Sequence, residues 1–156
     1  MTSNEIGKRY ESQVVTWLLE EFRQYHPKAE TNTFARGLAA IQPYEVDISV
    51  TIDNGGIPRQ VRRIWVECKW RQQGTIKKDD VMRLVYKGQD SARYAKRMGL
   101  WHYDGLWLVS NRRFHADALS VAKHEDVACT TFDGSSVVEN RNSPDWLSRP
   151  RWLAHC

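Results

Sequence analysis

Apolar side chains recur every third or fourth residue near the amino terminus, at Tyr10, Val14, Trp17, Leu18 and Phe22. That spacing lines one face of a helix. Thr2 and Glu5 stand where a capping box would open it, and Pro27 limits its far end. From Asn32 to Pro43 the pattern is lost. Gly37 and Pro43 make this an irregular connection, with at most a short strand around Phe34. The period then shortens to two. Val46, Ile48, Val50 and Ile52 alternate with Asp47, Ser49 and Thr51, which predicts a strand whose apolar residues all face one way. Asp53-Asn54-Gly55-Gly56 supplies a turn. Val61 to Trp70 is the expected return strand, with Ile64, Val66, Cys68 and Trp70 on one face and Trp65, Glu67 and Lys69 on the other.

Asp79 and Asp80 open a second predicted helix that runs to about Met98, its acids placed where the helix dipole favours them. Gly88 in its middle costs roughly 1 kcal/mol relative to alanine. Gly105 to Ser110 is expected as a buried strand, Phe114 to His124 as a third helix, and Val127 to Phe132 as a last strand. Strand–helix–strand steps imply parallel neighbours joined by right-handed crossovers, and the hairpin adds an antiparallel pair. The expected fold class is α/β, a mixed sheet flanked by helices. From Glu139 the composition turns to Asn, Ser, Arg and Pro, with Trp146, Leu147, Trp152 and Leu153 among them. Residues 1–138 therefore form the expected domain, and residues 139–156 a tail that docks on it or on a partner.

The chain of 156 residues is 41% hydrophobic and 27% charged, the proportions of a globular domain, and no apolar run reaches the roughly 20 residues of a membrane span. Its three cysteines, Cys68, Cys129 and Cys156, are odd in number and far apart. They argue against a disulfide framework or a zinc site, and for a reducing, cytoplasmic compartment. The net charge of +4 is unevenly spread. Between Ile57 and Arg97 stand 12 basic and 4 acidic residues, so the rest of the chain is net negative. Such a segment suits a polyanion, because neutralising phosphates releases counterions. A solvated basic face is the plainer reading.

The hairpin carries the candidate chemistry. If it turns near Ile57, Asp47 and Glu67 lie across from one another with Cβ atoms about 5 Å apart. Two carboxylates that close repel unless a cation lies between them, and hard oxygen donors suit Mg²⁺, with Mn²⁺ as a substitute. The Cys68 carbonyl offers a further ligand while its side chain faces the core. Lys69 lies on the same face about 7 Å along the strand, where an ammonium can offset negative charge developing on a phosphate. An exposed hairpin face bearing an ordinary cross-strand ion pair fits the same residues.

Asp47 followed by Glu67-Cys68-Lys69, after a helix bearing Glu11, resembles the PD-(D/E)XK nuclease superfamily. Within it the chain is most similar to the small restriction-endonuclease-like branch that includes Mrr-type enzymes and archaeal-type Holliday-junction resolvases. Gly7-Lys8-Arg9-Tyr10-Glu11 with Val14, Val15 and Leu18 looks like that branch's first helix, and Trp107 to Asn111, Phe114, Ala118 and Ala122 look like its C-terminal half. The residue before Asp47 is Val46 rather than proline. The resemblance implies an αβββαβ core and Mg²⁺-dependent phosphodiester hydrolysis. It also implies Asp47 and Glu67 as metal ligands, Lys69 as the catalytic lysine, and Glu11 as an acid reaching the metal directly or through water.

DNA is the expected partner. Arg36 in the loop before Asp47, and Arg71, Lys77, Lys78 and Lys87 in the basic segment, are the candidate backbone contacts. Gln89 and Tyr94 resemble the glutamine–tyrosine motif of RecB-like members at a spacing one residue too long, and are candidate substrate contacts, Gln89 among those to nucleic acid. The five histidines show no ligand spacing, and there is neither a Gly-x-Ser-x-Gly elbow nor a Gly-rich Lys-Ser or Lys-Thr loop, so no nucleotide cofactor is expected. A catalytically silent nucleic-acid-binding or assembly module of a defence or repair complex is the main alternative. A dimeric junction resolvase is another.

Overall fold

The computed structural model describes residues 1–53, 55–56 and 59–142. Helix α1 (Ser3–Glu21) begins at the expected capping box: the Glu5 N–H donates to Thr2 Oγ1 at 3.2 Å, and the Thr2 N–H donates to Glu5 Oε2 at 2.7 Å. Tyr10, Val14 and Leu18 form its buried stripe. The Tyr10 hydroxyl donates to the Phe132 carbonyl at 2.8 Å, so the stripe buries no unpaired polar atom there.

Among the described residues six strands form one sheet in chain order: β1 (Lys28–Ala35), β2 (Tyr44–Asp53), β3 (Val61–Lys69), β4 (Gly105–Ser110), β5 (Val127–Phe132) and β6 (Val137–Arg141). Helix α2 (Lys78–Met98) joins β3 to β4, and α3 (Ala116–His124) joins β4 to β5. The first three strands are antiparallel, β3, β4 and β5 run parallel, and β6 returns antiparallel to β5. One core packs Tyr10, Val14 and Leu18 of α1 against Ile48, Val50, Val66 and Trp107. The other packs Leu84 of α2 and Ala118 of α3 against Trp65, Leu108 and Cys129. The predicted α-β-β-β-α-β order is present, followed by α3, β5 and β6.

Two strands depart from the sequence reading. β1 starts at Lys28 and runs through Asn32 to Ala35, longer than the short strand around Phe34 expected within an irregular connection, and β6 extends the sheet to Arg141, past the change in composition. Both are edge strands that bury little, so their polar residues fall on both faces and no period survives. Helix α3 starts two residues later than the spacing predicts. Phe114 is buried in an isolated bridge to Ile76, and His115 caps the helix by accepting from the Asp117 N–H at 3.1 Å. Trp146 and Trp152, with the docking expected of their tail, lie outside the described residues.

Two features of α2 fix the framework. Gly88 leaves the helix continuous and lets it approach β4, since a Cβ there would meet the Leu106 side chain at 2.7 Å. Asp90 is wholly buried and accepts from the Ala39 and Ala40 N–H groups at 2.9 and 3.3 Å and from the Tyr44 hydroxyl at 2.7 Å. Burial alone would raise its carboxyl, but these donors and Arg93 hold it below the ordinary range. Gly37 makes room, because any Cβ there would collide with Asp90 and the Tyr44 ring. Asp90→Ala leaves three part-buried donors without their acceptor and is expected to destabilise the protein by about 2–4 kcal/mol. The check is a lower urea midpoint with an unchanged slope.

Candidate active site

The site sits where β2 changes face. Tyr44 and Val46 pack into the α2/α3 core, whereas Ile48, Val50 and Ile52 pack beneath α1. The unbroken alternation in the sequence therefore misassigns Val46, which does not share a face with Ile48. Because both faces of the sheet are covered, an apolar residue is at home on either, and period-two spacing cannot report the switch.

The switch falls on Asp47. In β1 the pairs Thr31↔Ile48 and Thr33↔Val46 bracket Asn32, which takes a left-handed φ of 56°, a conformation asparagine tolerates. On the other side the β2–β3 ladder runs from Asp53↔Val61 to Ile48↔Val66, the register the sequence predicts, and stops one pair short of Asp47 and Glu67. In place of a ladder bond, the Cys68 N–H donates to Asp47 Oδ2 at 2.9 Å. The strands part, and the carboxylate fills the opening.

Three acids meet there electrostatically. Burial, followed by the charge of Glu67, pushes the Asp47 carboxyl up to about 7; Glu11 adds to the rise and the Cys68 N–H opposes it. The Glu67 side chain is 6% exposed and accepts from Lys87 Nζ at 2.8 Å. Glu11 is also pushed up by burial, against the opposing charge of Lys8, whose ammonium lies 3.4 Å from Glu11, 3.4 Å from Asn32 Oδ1 and 3.9 Å from Glu45. Burial and the charges of Asp47, Glu11 and Glu67 raise the Cys68 thiol well above its ordinary value. It remains a neutral thiol packed against the α1 core, and of its atoms the carbonyl is the available ligand.

Lys69 follows Glu67 on the same face, is half-buried, and has no ion-pair partner among the described residues. Its charge helps, with the Arg71 and Lys77 donors, to hold Asp80 below the ordinary carboxylate range despite burial.

The expected phosphate contacts divide. Arg36, Lys77 and Lys78 are exposed, Arg36 with its guanidinium 5.5 Å from the centre of the Tyr94 ring. Arg71 is instead a strut: its guanidinium forks onto Asp80 at 2.9 and 2.5 Å, and its backbone exchanges hydrogen bonds with Asn111 at 2.8 and 2.7 Å. Lys87 turns inward to Glu67 rather than outward to a backbone. Gln89, about 200° further round α2, lines a groove of ≈ 560 Å³ between α2 and α3 with Met82 and Val121, and does not join Asp47 and Glu67. The Lys87–Glu67 pair had no sequence signal, since its members are twenty positions apart on different elements. Lys8 and Glu11 were legible as an i, i+3 pair.

Among the described residues no three His, Cys, Asp or Glu side chains are assembled as a cage for a metal ion. Glu11, Asp47, Glu67 and Cys68 adjoin one another, but Lys8 and Lys87 hold two of the acids. In kind the donors fit a hard divalent cation: buried carboxylates suppress each other's ionisation, and the Lys87 ammonium already sits where positive charge is favoured.

No protein-family model matches the chain, and no curated protein matches it in sequence. Solved structures match it in fold. A protein of unknown function, AF1548, superposes with a TM-score of 0.59 at 18% identity, over 78% of this chain and 56% of its own length. The MspJI restriction endonuclease, in complex with a 27-mer oligonucleotide, superposes with a TM-score of 0.51 at 19% identity, over 82% of this chain and 26% of its own. The chain thus spans about half the length of one neighbour and a quarter of the other. At such identities the likeness is one of architecture, and the fold, a mixed six-stranded sheet flanked by helices, is restriction-endonuclease-like.

Proposed function

We propose that this chain is a metal-dependent nuclease that hydrolyses phosphodiester bonds, with DNA as its substrate. The observation that carries the reading is the parting of β2 and β3 at Asp47, which sets a part-buried and a buried carboxylate together beside a lysine with no ion-pair partner among the described residues. Asp47 and Glu67 would hold Mg²⁺ or Mn²⁺, with Glu11 and the Cys68 carbonyl in reserve. Such an ion, when bound, polarises the scissile phosphate and lowers the pKa of a water. Lys69 offsets charge on the phosphate from the same face as Glu67. Lys87, which holds Glu67, lines a groove of ≈ 350 Å³ with Arg83 and Tyr86. Lys77 and Lys78, exposed at the start of α2, hold a phosphate backbone without reading sequence.

Plasmid nicking by the purified protein in Mg²⁺ or Mn²⁺, against an EDTA control, tests the activity. A second test needs no substrate. Lys87→Met leaves a buried carboxylate without its countercharge, so in EDTA the variant is expected to lose about 3 kcal/mol of stability. Mg²⁺ then raises the variant's midpoint more than the parent's. Absence of any Mg²⁺ effect on either protein, together with intact plasmid, would falsify the nuclease reading. The hold of Lys87 on Glu67 favours one rival, a binding module without catalysis. Gel shifts in EDTA with no nicking under any metal would select it.

A further inference from the structure

We propose that the cleft bounded by the end of α2, the loop entering β4 and the edge of β1 binds an unpaired DNA base, an inference that rests on the nuclease reading and extends it to the substrate. The cleft measures ≈ 280 Å³ and is walled by Phe34, Arg36, Tyr94, Leu100, Trp101 and Tyr103. Phe34 is 66% exposed, Leu100 57% and Trp101 54%. Single apolar side chains on a surface need no explanation, but a cluster of them around one hollow does.

The rings are held in place. Trp101 stands edge-on to Tyr103 with centroids 5.2 Å apart, and Tyr103 leans on the buried Trp65 at 5.5 Å. The Tyr103 hydroxyl donates to Ser49 Oγ at 2.9 Å. Two guanidinium groups lie over the rings, Arg36 5.5 Å from the Tyr94 centroid and Arg63 4.5 Å from that of Trp101. Lys96 and Arg97 are exposed in the adjoining last turn of α2.

Flat apolar walls with cations at the rim fit a ligand that is a planar ring on an anionic tether. A nucleobase on its phosphate backbone meets that description, and stacking on aromatic side chains tolerates any base. A base inside a duplex has its faces covered by its neighbours, whereas an unpaired one offers them. Position links the cleft to the carboxylates. Tyr94 lies seven residues beyond Lys87 on the same side of α2, about 10 Å along the axis. At the roughly 3.4 Å rise of one strand in a stacked helix that is about three nucleotides, and fewer for an extended strand. Ser49, the anchor of Tyr103, is two residues from Asp47 on β2. A strand seated in the cleft therefore runs on towards the acids.

The test uses Trp101→Ala in the full chain, with fluorescence anisotropy in EDTA on a labelled 20-nucleotide single-stranded DNA and on the same sequence as a duplex. Loss of one stacking platform is expected to weaken single-strand binding about 5- to 100-fold. Duplex affinity should change by no more than about twofold by the same argument. Phe34→Ala, also at an exposed side chain, should act in the same direction. Equal losses on both DNAs, or none on the single strand, overturn the proposal. So does a fall in oligomeric mass with DNA affinity unchanged, which would give the cleft to a second copy of the chain. If the parent nicks plasmid while Trp101→Ala binds single strands normally, the cleft assignment fails alone. If the parent neither binds nor nicks DNA, the nuclease reading fails and takes this one with it.

Discussion

Lys69→Ala is expected to slow Mg²⁺-dependent DNA cleavage by about 10²–10³-fold, the usual loss when one group facing transition-state charge is removed. The side chain suits this test because it is half-buried at the end of β3 and holds no ion pair among the described residues. Nothing in the fold is left unpaired when it goes. DNA affinity and urea midpoint should therefore stay close to those of the parent, and the loss should lie in kcat rather than in KM. Asp47→Ala is a less clean probe, since it also removes the acceptor of the Cys68 N–H. Initial nicking rates at saturating plasmid settle the matter. A Lys69→Ala protein that cuts as fast as the parent would leave the lysine without a catalytic role.

Much of the site was legible in the sequence because strand period and turn position together set register. Alternation in residues 46–52 and 61–70, with a turn near Ile57, implies that Asp47 faces Glu67, and the Ile48↔Val66 pair has that register. What the sequence could not convey is how the opening forms. Val46 and Ile48 are both apolar and both buried, yet in different cores, and the left-handed Asn32 that brackets the switch belongs to an edge strand without a readable period. Two cations of the basic segment are engaged within the fold for a related reason. Arg71 and Lys87 raise its charge, but their partners Asp80 and Glu67 are set by tertiary packing, so neither cation is free for a phosphate. Asp90, in the sequence only one of the four acids of that segment, holds the loop of Ala39 and Ala40 from inside the protein.

Asp47→Asn should stabilise the metal-free protein, and increasingly so as pH rises. The folded carboxyl titrates near 7, against an ordinary value of 3.8. Between those values the folded chain binds more protons than the unfolded one. Stability contributed by this group is therefore complete below about pH 4 and is lost as pH climbs to 7. Holding the ionised form in place costs up to about 4 kcal/mol at pH 8, at 1.4 kcal/mol per unit. Asparagine keeps an oxygen for the Cys68 N–H and a donor for Glu67, and carries no charge. In EDTA its urea midpoint should match the parent's at pH 4 and exceed it at pH 8. The same substitution should abolish cleavage, because the repulsion it relieves is what a divalent cation would relieve. Parent and variant midpoints that run parallel from pH 4 to pH 8 would separate Asp47 from Glu67 and remove the electrostatic reason for a metal between them.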